Sequence, residues 1–550
     1  MKEKAIEEIL ELLKKGKINS REELQEIKIA VSRKYKLGYI IKNSEILKAV
    51  SEKEKKKFLK LLQRKPTRTI SGVAVVAVMT HPERCPHGKC NYCPGGVEIG
   101  VPQSYTGKEP ATRRALQYGF DPYLQTTFRL YQLKSIGHPI DKVELIVMGG
   151  TLTSRLVDYQ EWFVKMCLKA MNDFQENFQR IEEKGEEGFI EDYIKSKKSK
   201  TFDYLENIQK KNEKSKVRCV GITFEPRPDW AKKEQINYML SFGVTRVEIG
   251  VQCPFDFVYK KVNRGHTVKD VIEATSLLKD SALKVSYHLM PGILGFNPEF
   301  DLRAFKRIIE DPNFRPDMIK IYPCVVLKGT KLYEDWKKGE FRPLETKEAI
   351  ELISKMKAML PPWIRTMRVM RDIPSNLIVA GVKASNLHEL VIKEMEKKKL
   401  KCRCIRCREV GRFLRKGIVP KEENIKLVRR EYEASKGKEI FLSFEDVKKD
   451  ILIGFLRLRI PYKPFRKEID SRTSLIRELH VYGPMVEIGE KPEYEYQHRG
   501  YGKELLREAE RISEEEFDMK KIIVISGIGV REYYRNLGYR KQGVYMMKKL

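Results

Sequence analysis

Three cysteines crowd the run His81-Pro-Glu-Arg-Cys85-Pro-His-Gly-Lys-Cys90-Asn-Tyr-Cys93-Pro-Gly-Gly96, directly after the apolar segment Gly72–Met79. Three thiolates on one loop are one ligand short of closing an iron–sulfur cluster, so one iron would stay open to an exogenous molecule. A structural zinc would instead need a fourth protein ligand. A second thiol group, Cys402-Arg-Cys404-Ile-Arg-Cys407, is interleaved with Arg403, Arg406 and Arg408. Its spacing suits zinc, completed by Cys324 or by His388, and a reduced, metal-free basic loop is the alternative. A third constellation, Gln497-His-Arg-Gly500-Tyr-Gly502, precedes a helical pattern, where its glycines can bring backbone N–H groups against a pyrophosphate.

The elements that must position these groups follow from periodicity. Over 1–70 the sequence reads as helices: Ile6, Ile9, Leu10 and Leu13 mark one face, Gly16 ends the first helix, and Ser20 to Glu23 forms a capping box for the next. From Gly72 onward, short apolar strands alternate with helical stretches: Val73–Met79, Val143–Gly149, Arg218–Phe224, Thr245–Val251, Lys284–Met290 and Met318–Tyr322. Six such units predict a parallel sheet covered by helices, open or as a partial barrel. Their carboxyl ends carry Gly149-Gly150-Thr151, Glu225 and Arg227, Gln252, His288 and Pro291-Gly292, and ligand chemistry gathers at that rim in parallel α/β folds. Between about 172 and 216 the pattern decays into a Glu/Lys-rich surface insertion. From about Val410 the strands Glu439–Glu445, Ile451–Leu458 and Ile476–Val481, a helix from Gly502 to Ser513, the strand Ile522–Ser526 and a short helix through Tyr534 predict an α+β domain.

With 550 residues and a net charge of +32, the chain should hold several domains and meet a phosphate-rich partner, nucleic acid ahead of membrane. Residues 1–70 carry 20 Lys/Arg against 10 Asp/Glu, and Lys53, Lys55, Lys56, Lys57, Arg64, Lys65 and Arg68 crowd before the first strand. That run and the arginines around the second thiol group are the expected RNA contacts. No charged-then-apolar leader and no run of about 18 apolar residues occurs, which points to a soluble, cytoplasmic protein. In a reducing compartment the clustered cysteines read as metal ligands, and Cys167, Cys219 and Cys253 as inert core thiols.

The glycine turn, the strand ending Glu478-Leu479-His480-Val481 and the segment Tyr533-Tyr534-Arg535-Asn-Leu-Gly538-Tyr539 together resemble the acetyl-CoA motif of GNAT acetyltransferases. The resemblance implies Gly500 and Gly502 at the pyrophosphate and Tyr534 near the thioester sulfur, although Tyr533 and Tyr534 could simply pack the sheet. The first cysteine loop, with Tyr92 before its last cysteine, resembles radical S-adenosylmethionine enzymes, whose usual loop has three residues rather than four between the first two cysteines. That implies a [4Fe–4S] cluster on Cys85, Cys90 and Cys93, Gly149-Gly150-Thr151 against the methionine amine, and Glu225 and Arg227 at the ribose and carboxylate, unless these two form a surface ion pair.

The whole order closely resembles the family of Elongator catalytic subunits. It implies an acyltransferase that uses S-adenosylmethionine radical chemistry and acetyl-CoA to build a carboxymethyl group on C5 of the wobble uridine of tRNA. A radical is needed because the acetyl methyl is an unactivated C–H and simple acyl transfer needs only a nucleophile, a base and an oxyanion site. The family match further places Lys142 against acetyl-CoA, Glu478 to Val481 along the thioester channel, and Tyr501, Gly502 and Lys503 at the pyrophosphate. The expected organisation is a basic helical region 1–70, a radical partial (β/α) barrel 71–385, a zinc-binding linker 386–410 and a GNAT domain 411–550. A lysine acetyltransferase with a structural iron–sulfur domain is the rival reading. The sequence points to tRNA as partner and to no obligatory protein partner or membrane, with self-association left open.

Overall fold

The computed structural model describes residues 1–64, 69, 72–197, 203–482 and 500–550. Of the expected RNA and cofactor contacts, Lys65, Arg68, Gln497 and the side chains of Lys53 and Lys56 lie outside the described residues.

The apolar runs pair into one parallel sheet: β1 (Ala74–Met79), β2 (Lys142–Met148), β3 (Arg218–Phe224), β4 (Arg246–Gln252), β5 (Lys284–Leu289), β6 (Met318–Ile321) and, beyond the two-residue β7 (Val326–Leu327), β8 (Arg365–Val369). Strand follows strand in chain order across the sheet, with helices in the crossovers, which gives the curled partial barrel expected of the sequence. The seventh strand, β8, is an addition to the six expected. Arg365 and Arg368 interrupt its apolar pattern.

A short β9 (Ile378–Ala380) pairs with β7, and the rest of the chain builds a second seven-stranded sheet. Its strands are β10 (Ile425–Ala434), β11 (Gly437–Asp446), β12 (Ile451–Ile460), β13 (Thr473–Val481), β14 (Lys521–Val524), β15 (Arg540–Gln542) and β16 (Tyr545–Lys549). All neighbours are antiparallel except β13 and β14, which run parallel and touch only over Thr473–Ile476 and Lys521–Val524. Past Ile476, β13 continues to Val481 with no strand on that side among the described residues. The helix Tyr501–Arg511 buries Leu505, Leu506 and Ala509 against the sheet beside this split.

Two regions differ from expectation or extend it. Within the expected insertion, the helical stretch Phe174–Lys197 buries Ile181, Phe189 and Tyr193 against the helix Pro122–Ser135, because apolar residues recur among its charges at helical spacing. The N-terminal helices Lys2–Lys14, Arg21–Lys34, Asn43–Ala49 and Glu52–Leu62 enclose their own small core, with Ser20 capping the second helix through Glu23 N at 3.1 Å.

Besides shared apolar contacts, a largely buried ionic lattice joins the second sheet to the barrel. Arg477 of β13 donates to Asp317, just before β6, at 2.7 and 2.5 Å and to Glu439 of β11 at 2.9 Å. Lys279 lies 3.2 Å from Asp317, Arg459 reaches Asp280 at 2.8 Å and Glu439 at 2.9 Å, and Arg457 pairs with Glu478 at 2.9 Å. Burial alone would push the Asp317 carboxyl up, but Arg477 and Lys279 outweigh it and hold it well below the usual range. The stability this contributes is present above about pH 4 and is lost as pH falls through the lower folded value. Asp317→Asn should strand Arg477 and Lys279 without their shared acid and cost about 3–5 kcal/mol, read as a fall in the denaturant midpoint. An unchanged midpoint would show that the lattice does not hold the sheets together.

Candidate active site

At the carboxyl rim of the barrel lies a cavity of about 200 Å³, into which the expected residues of three successive strand ends converge: Cys85, Gly149 to Thr151, Glu225 and Arg227. The turn after β2 is shaped for close approach. Gly149 has φ +122°, and a Cβ there would lie 2.3 Å from Thr80 Oγ1; Gly150, at φ +64°, is also left-handed. Glu225 and Arg227 do not pair with each other. Arg227 is buried against Asp229 at 2.8 Å, and Glu225 accepts from Lys320 at 2.9 Å.

The cavity floor is charged. Glu248 of β4 is fully buried between Lys320, His288 at 2.8 Å and Arg246, and Arg246 also pairs with Glu144 of β2. Burial would raise the Glu248 carboxyl, yet Lys320 and Arg246 hold it well below the usual range. Burial would lower the Lys320 ammonium, but Glu225 and Glu248 lift it well above its ordinary value. Both residues are thus ionised at neutral pH, and the floor presents fixed charges to whatever enters. His288 is among the residues expected at this rim, whereas Glu248 and Lys320 are additions to it. Their signal is a charge at an inward position of an otherwise apolar strand.

The cysteine loop packs over this rim. Cys85 Sγ lies 3.6 Å from Thr151 Oγ1, Cys93 Sγ 3.3 Å from Ser104 Oγ, and Cys90 Sγ 3.1 Å from His87 Nε2 and 3.6 Å from Arg264 Nη1. Burial pushes the Cys93 thiol up to about 11, with Cys90 and Cys85 close enough to add to the rise. Three loop thiols, one of them against the buried Arg264 guanidinium, suit an anionic iron–sulfur cluster.

The glycine turn sits at the split sheet. Gly500, at φ +93°, caps the helix Tyr501–Arg511, and a Cβ on Gly502 would lie 3.1 Å from the Tyr533 hydroxyl and 3.6 Å from Val481 Cγ2. Val481, Gly502 and Tyr533 therefore face one another, with Lys503 exposed beside them. Tyr534 points inward: it is buried in the core, edge-on to Tyr533 and Tyr539. Leu479 packs on the same core, and the His480 ring lies tilted against Tyr482 at 4.3 Å, held neutral because burial lowers it to about 4. Lys142 lies at the opposite, amino end of the barrel strands, half-buried, and burial lowers its ammonium.

The sulfurs of Cys402, Cys404 and Cys407 lie within 4.8 Å of one another, a grouping that can hold a metal ion. Hydrogen bonds from Cys402 and Cys407, then Lys357, hold Cys404 well below the usual thiol value, and Lys357 Nζ stands 3.7 Å from Cys407 Sγ. Cys324 does not complete this group. It is 1% exposed among Cys90, Cys93 and Cys253 at the carboxyl rim, whereas Ile405 bonds to Ile364 at the amino end of β8. His388 remains the candidate: it is near enough to feel the Cys404 charge, and its Nε2 has no hydrogen-bond partner. Arg408 is not an RNA contact either. It is 2% exposed and ion-paired with Glu445 and Asp450. Arg406 turns inward to the Met367 carbonyl, while Arg403, Lys57 and Arg64 are exposed and Lys55 is half-buried. Cys167, Cys219 and Cys253 are buried core thiols, as expected.

A three-cysteine loop after the first strand of a parallel partial barrel, above a rim cavity, defines a radical S-adenosylmethionine protein, and family models agree: "Radical SAM superfamily" matches residues 79–302, "Radical_SAM C-terminal domain" 316–397 and "ELP3 N-terminal domain" 2–70. The tRNA uridine(34) acetyltransferase of Methanocaldococcus infernus is 55% identical over the whole of both chains, and that of Methanocaldococcus jannaschii 54% identical over 99% of this chain and 97% of its own. Elongator complex protein 3 of Homo sapiens is 42% identical, covering 96% and 93%. The solved structure of archaeal Methanocaldococcus infernus Elp3 with an N-terminal deletion superposes with a TM-score of 0.74 at 53% identity, covering 88% of this chain and all of that one. The chain belongs to the Elongator complex protein 3 family. No helix among the described residues is long and apolar enough to cross a membrane.

Gly149→Ala must displace Thr80 or the turn that walls the cavity. Calorimetric titration should show S-adenosylmethionine binding weakened at least about tenfold with circular dichroism unchanged, and wild-type affinity would remove this turn from the binding site.

Proposed function

We propose that this chain is a tRNA-modifying acyltransferase that builds an acetyl-CoA-derived carbon unit onto C5 of the wobble uridine, with 5-carboxymethyluridine as product. The observation that carries the reading is the union, through one buried ionic lattice, of an open three-cysteine rim cavity and a split sheet with a glycine-capped helix. The two relatives named tRNA uridine(34) acetyltransferase match this chain over nearly its full length, which supports the same substrate here.

In this reading Cys85, Cys90 and Cys93 hold a [4Fe–4S] cluster, Gly149 to Thr151 meet the methionine amine, and Glu225 and Arg227 orient the ribose and carboxylate of S-adenosylmethionine. When bound, that pair supplies a carbon radical able to break an unactivated C–H bond. The chain's own part is placement: Glu248, Lys320 and His288 fix the charged floor against which the reacting groups are oriented. At the second sheet, Gly500, Tyr501, Gly502 and Lys503, with Gln497, hold the pyrophosphate of acetyl-CoA. Glu478 to Val481 line the thioester path, Tyr533 stands over the glycine turn, and Tyr534 supports Tyr533 from the core. Lys142 serves as a contact to acetyl-CoA from the barrel. Cys402, Cys404 and Cys407 with His388 hold zinc, and Arg403, Lys57 and Arg64 present positive charge to tRNA in the cytoplasm.

Reduced, reconstituted protein incubated with tRNA, S-adenosylmethionine and labelled acetyl-CoA should place label on a tRNA nucleoside, and Cys90→Ala should abolish it. Label confined to protein lysine would overturn the proposal. Binding of tRNA should weaken with salt by about one unit of log–log slope per phosphate contacted, and a flat response would remove the electrostatic surface from the argument. Cys404→Ser should lose the zinc found by elemental analysis while keeping the rim iron, and zinc retained in full would displace it from these thiols.

A further inference from the structure

Among the described residues, Cys90 is the one loop thiol met by a cation and an imidazole, whereas Cys85 and Cys93 meet a threonine and a serine hydroxyl. Arg264 is only 9% exposed. Its Nη1 points at Cys90 Sγ, its Nη2 donates to the Gly250 carbonyl at 2.6 Å, and its Nε has no partner. None of its hydrogen bonds goes to a carboxylate among the described residues, although a buried guanidinium is costly without an anion. The sulfur of Cys90 is the group positioned to supply that charge once it is a thiolate. A ligating thiolate carries no proton, so the contact from His87 must then be a donated Nε2–H.

The placement is built rather than incidental. Arg227 clamps the Arg264 carbonyl at 2.8 Å, Asn263 donates to Lys89 O at 2.9 Å, and Asn91 N donates to Val262 O at 3.1 Å, so the segment 262–264 is fastened to the cysteine loop on both sides of Cys90. Gly265, at φ +72°, lets His87 lie flat against this segment, since a Cβ there would sit 2.5 Å from His87 Cβ. His87 itself stands in the four-residue gap between Cys85 and Cys90.

We infer that Arg264 and His87 set the reduction potential of the iron–sulfur centre by stabilising negative charge on the Cys90 sulfur. Adding an electron makes the cluster and its thiolates more negative, and a nearby cation and N–H donor favour that reduced form, which raises the potential. The inference rests on the proposed ligation by Cys85, Cys90 and Cys93. Arg264 and His87 are positioning residues, acting through a ligand rather than on substrate.

Wild type, Arg264→Gln, Arg264→Lys, His87→Phe and Cys90→Ala should be reconstituted anaerobically, assayed for iron and sulfide, and titrated by electron paramagnetic resonance at fixed potentials. At the wild-type midpoint, the ratio of reduced to oxidised centre in Arg264→Gln and His87→Phe should fall about tenfold, equal to about 59 mV for a one-electron couple. Arg264→Lys should recover most of the loss. Arg264→Gln or His87→Phe with full iron and sulfide and an unmoved or higher midpoint would overturn the inference. If Arg264→Gln takes up no cluster, His87→Phe decides on the same criterion. Cys90→Ala with the wild-type iron content and midpoint would instead overturn the ligand assignment, a separate failure.

Discussion

Four acids and four bases, buried between two sheets, fix where everything else in this chain can be. Asp280, Asp317, Glu439 and Glu478 face Lys279, Arg457, Arg459 and Arg477, and each hydrogen bond fixes a direction as well as a separation. Apolar packing would let one sheet slide over the other at little cost, whereas a displaced carboxylate here leaves a guanidinium unmet in a dry environment. Such lattices are weak evidence for stability but strong devices for a unique arrangement, and this arrangement matters because Arg477 and Glu478 belong to β13, the strand that runs on into the split.

Charge also continues inside the barrel, where a core of this kind ordinarily holds Val, Ile and Leu. Glu144, Arg246 and Glu248 succeed one another toward the rim, and Lys320 and His288 meet them there. At the other end Lys284 and Arg246 both feel Glu478. The barrel therefore gives its interior to ion pairs instead of hydrocarbon, and its stability must come from the helix-covered outer face, where Val143, Leu145 and Val147 of β2 are buried. The exchange keeps the rim floor ionised and rigid.

Much of this was readable from residue order. Cys85, Gly149 to Thr151, Glu225, Arg227 and His288 stand at the ends of apolar runs, and a parallel sheet brings such ends to one rim whatever the helices between them do. Glu248 and Lys320 were not readable as site residues, because a single charge inside a strand looks the same whether it faces a cavity or an edge. The same ambiguity hid β8 and the polar edge strand β10. Cysteine spacing groups Cys402, Cys404 and Cys407 but does not say which barrel end they occupy, so Cys324, a strand's length away, stands beside His388 as a possible fourth ligand. Arg408 looked free because its partners, Glu445 and Asp450, lie some forty residues on, in another domain. The Tyr533 and Tyr534 pair shows the limit of a motif: the spacing located the helix, and only packing against Tyr539 and Gly502 distinguished the inward ring from the outward one.

One contact reaches further than its position suggests. Glu213, at the end of the charged stretch that interrupts the barrel sequence, binds Arg531 at 2.9 Å and Arg535 at 2.7 Å, the two arginines that bracket Tyr533 and Tyr534. The helical turn that ends at Glu213 is consequently a strut. Trimming it away would preserve every strand and every cysteine, and would remove two ion pairs that fasten the tyrosine helix to the barrel.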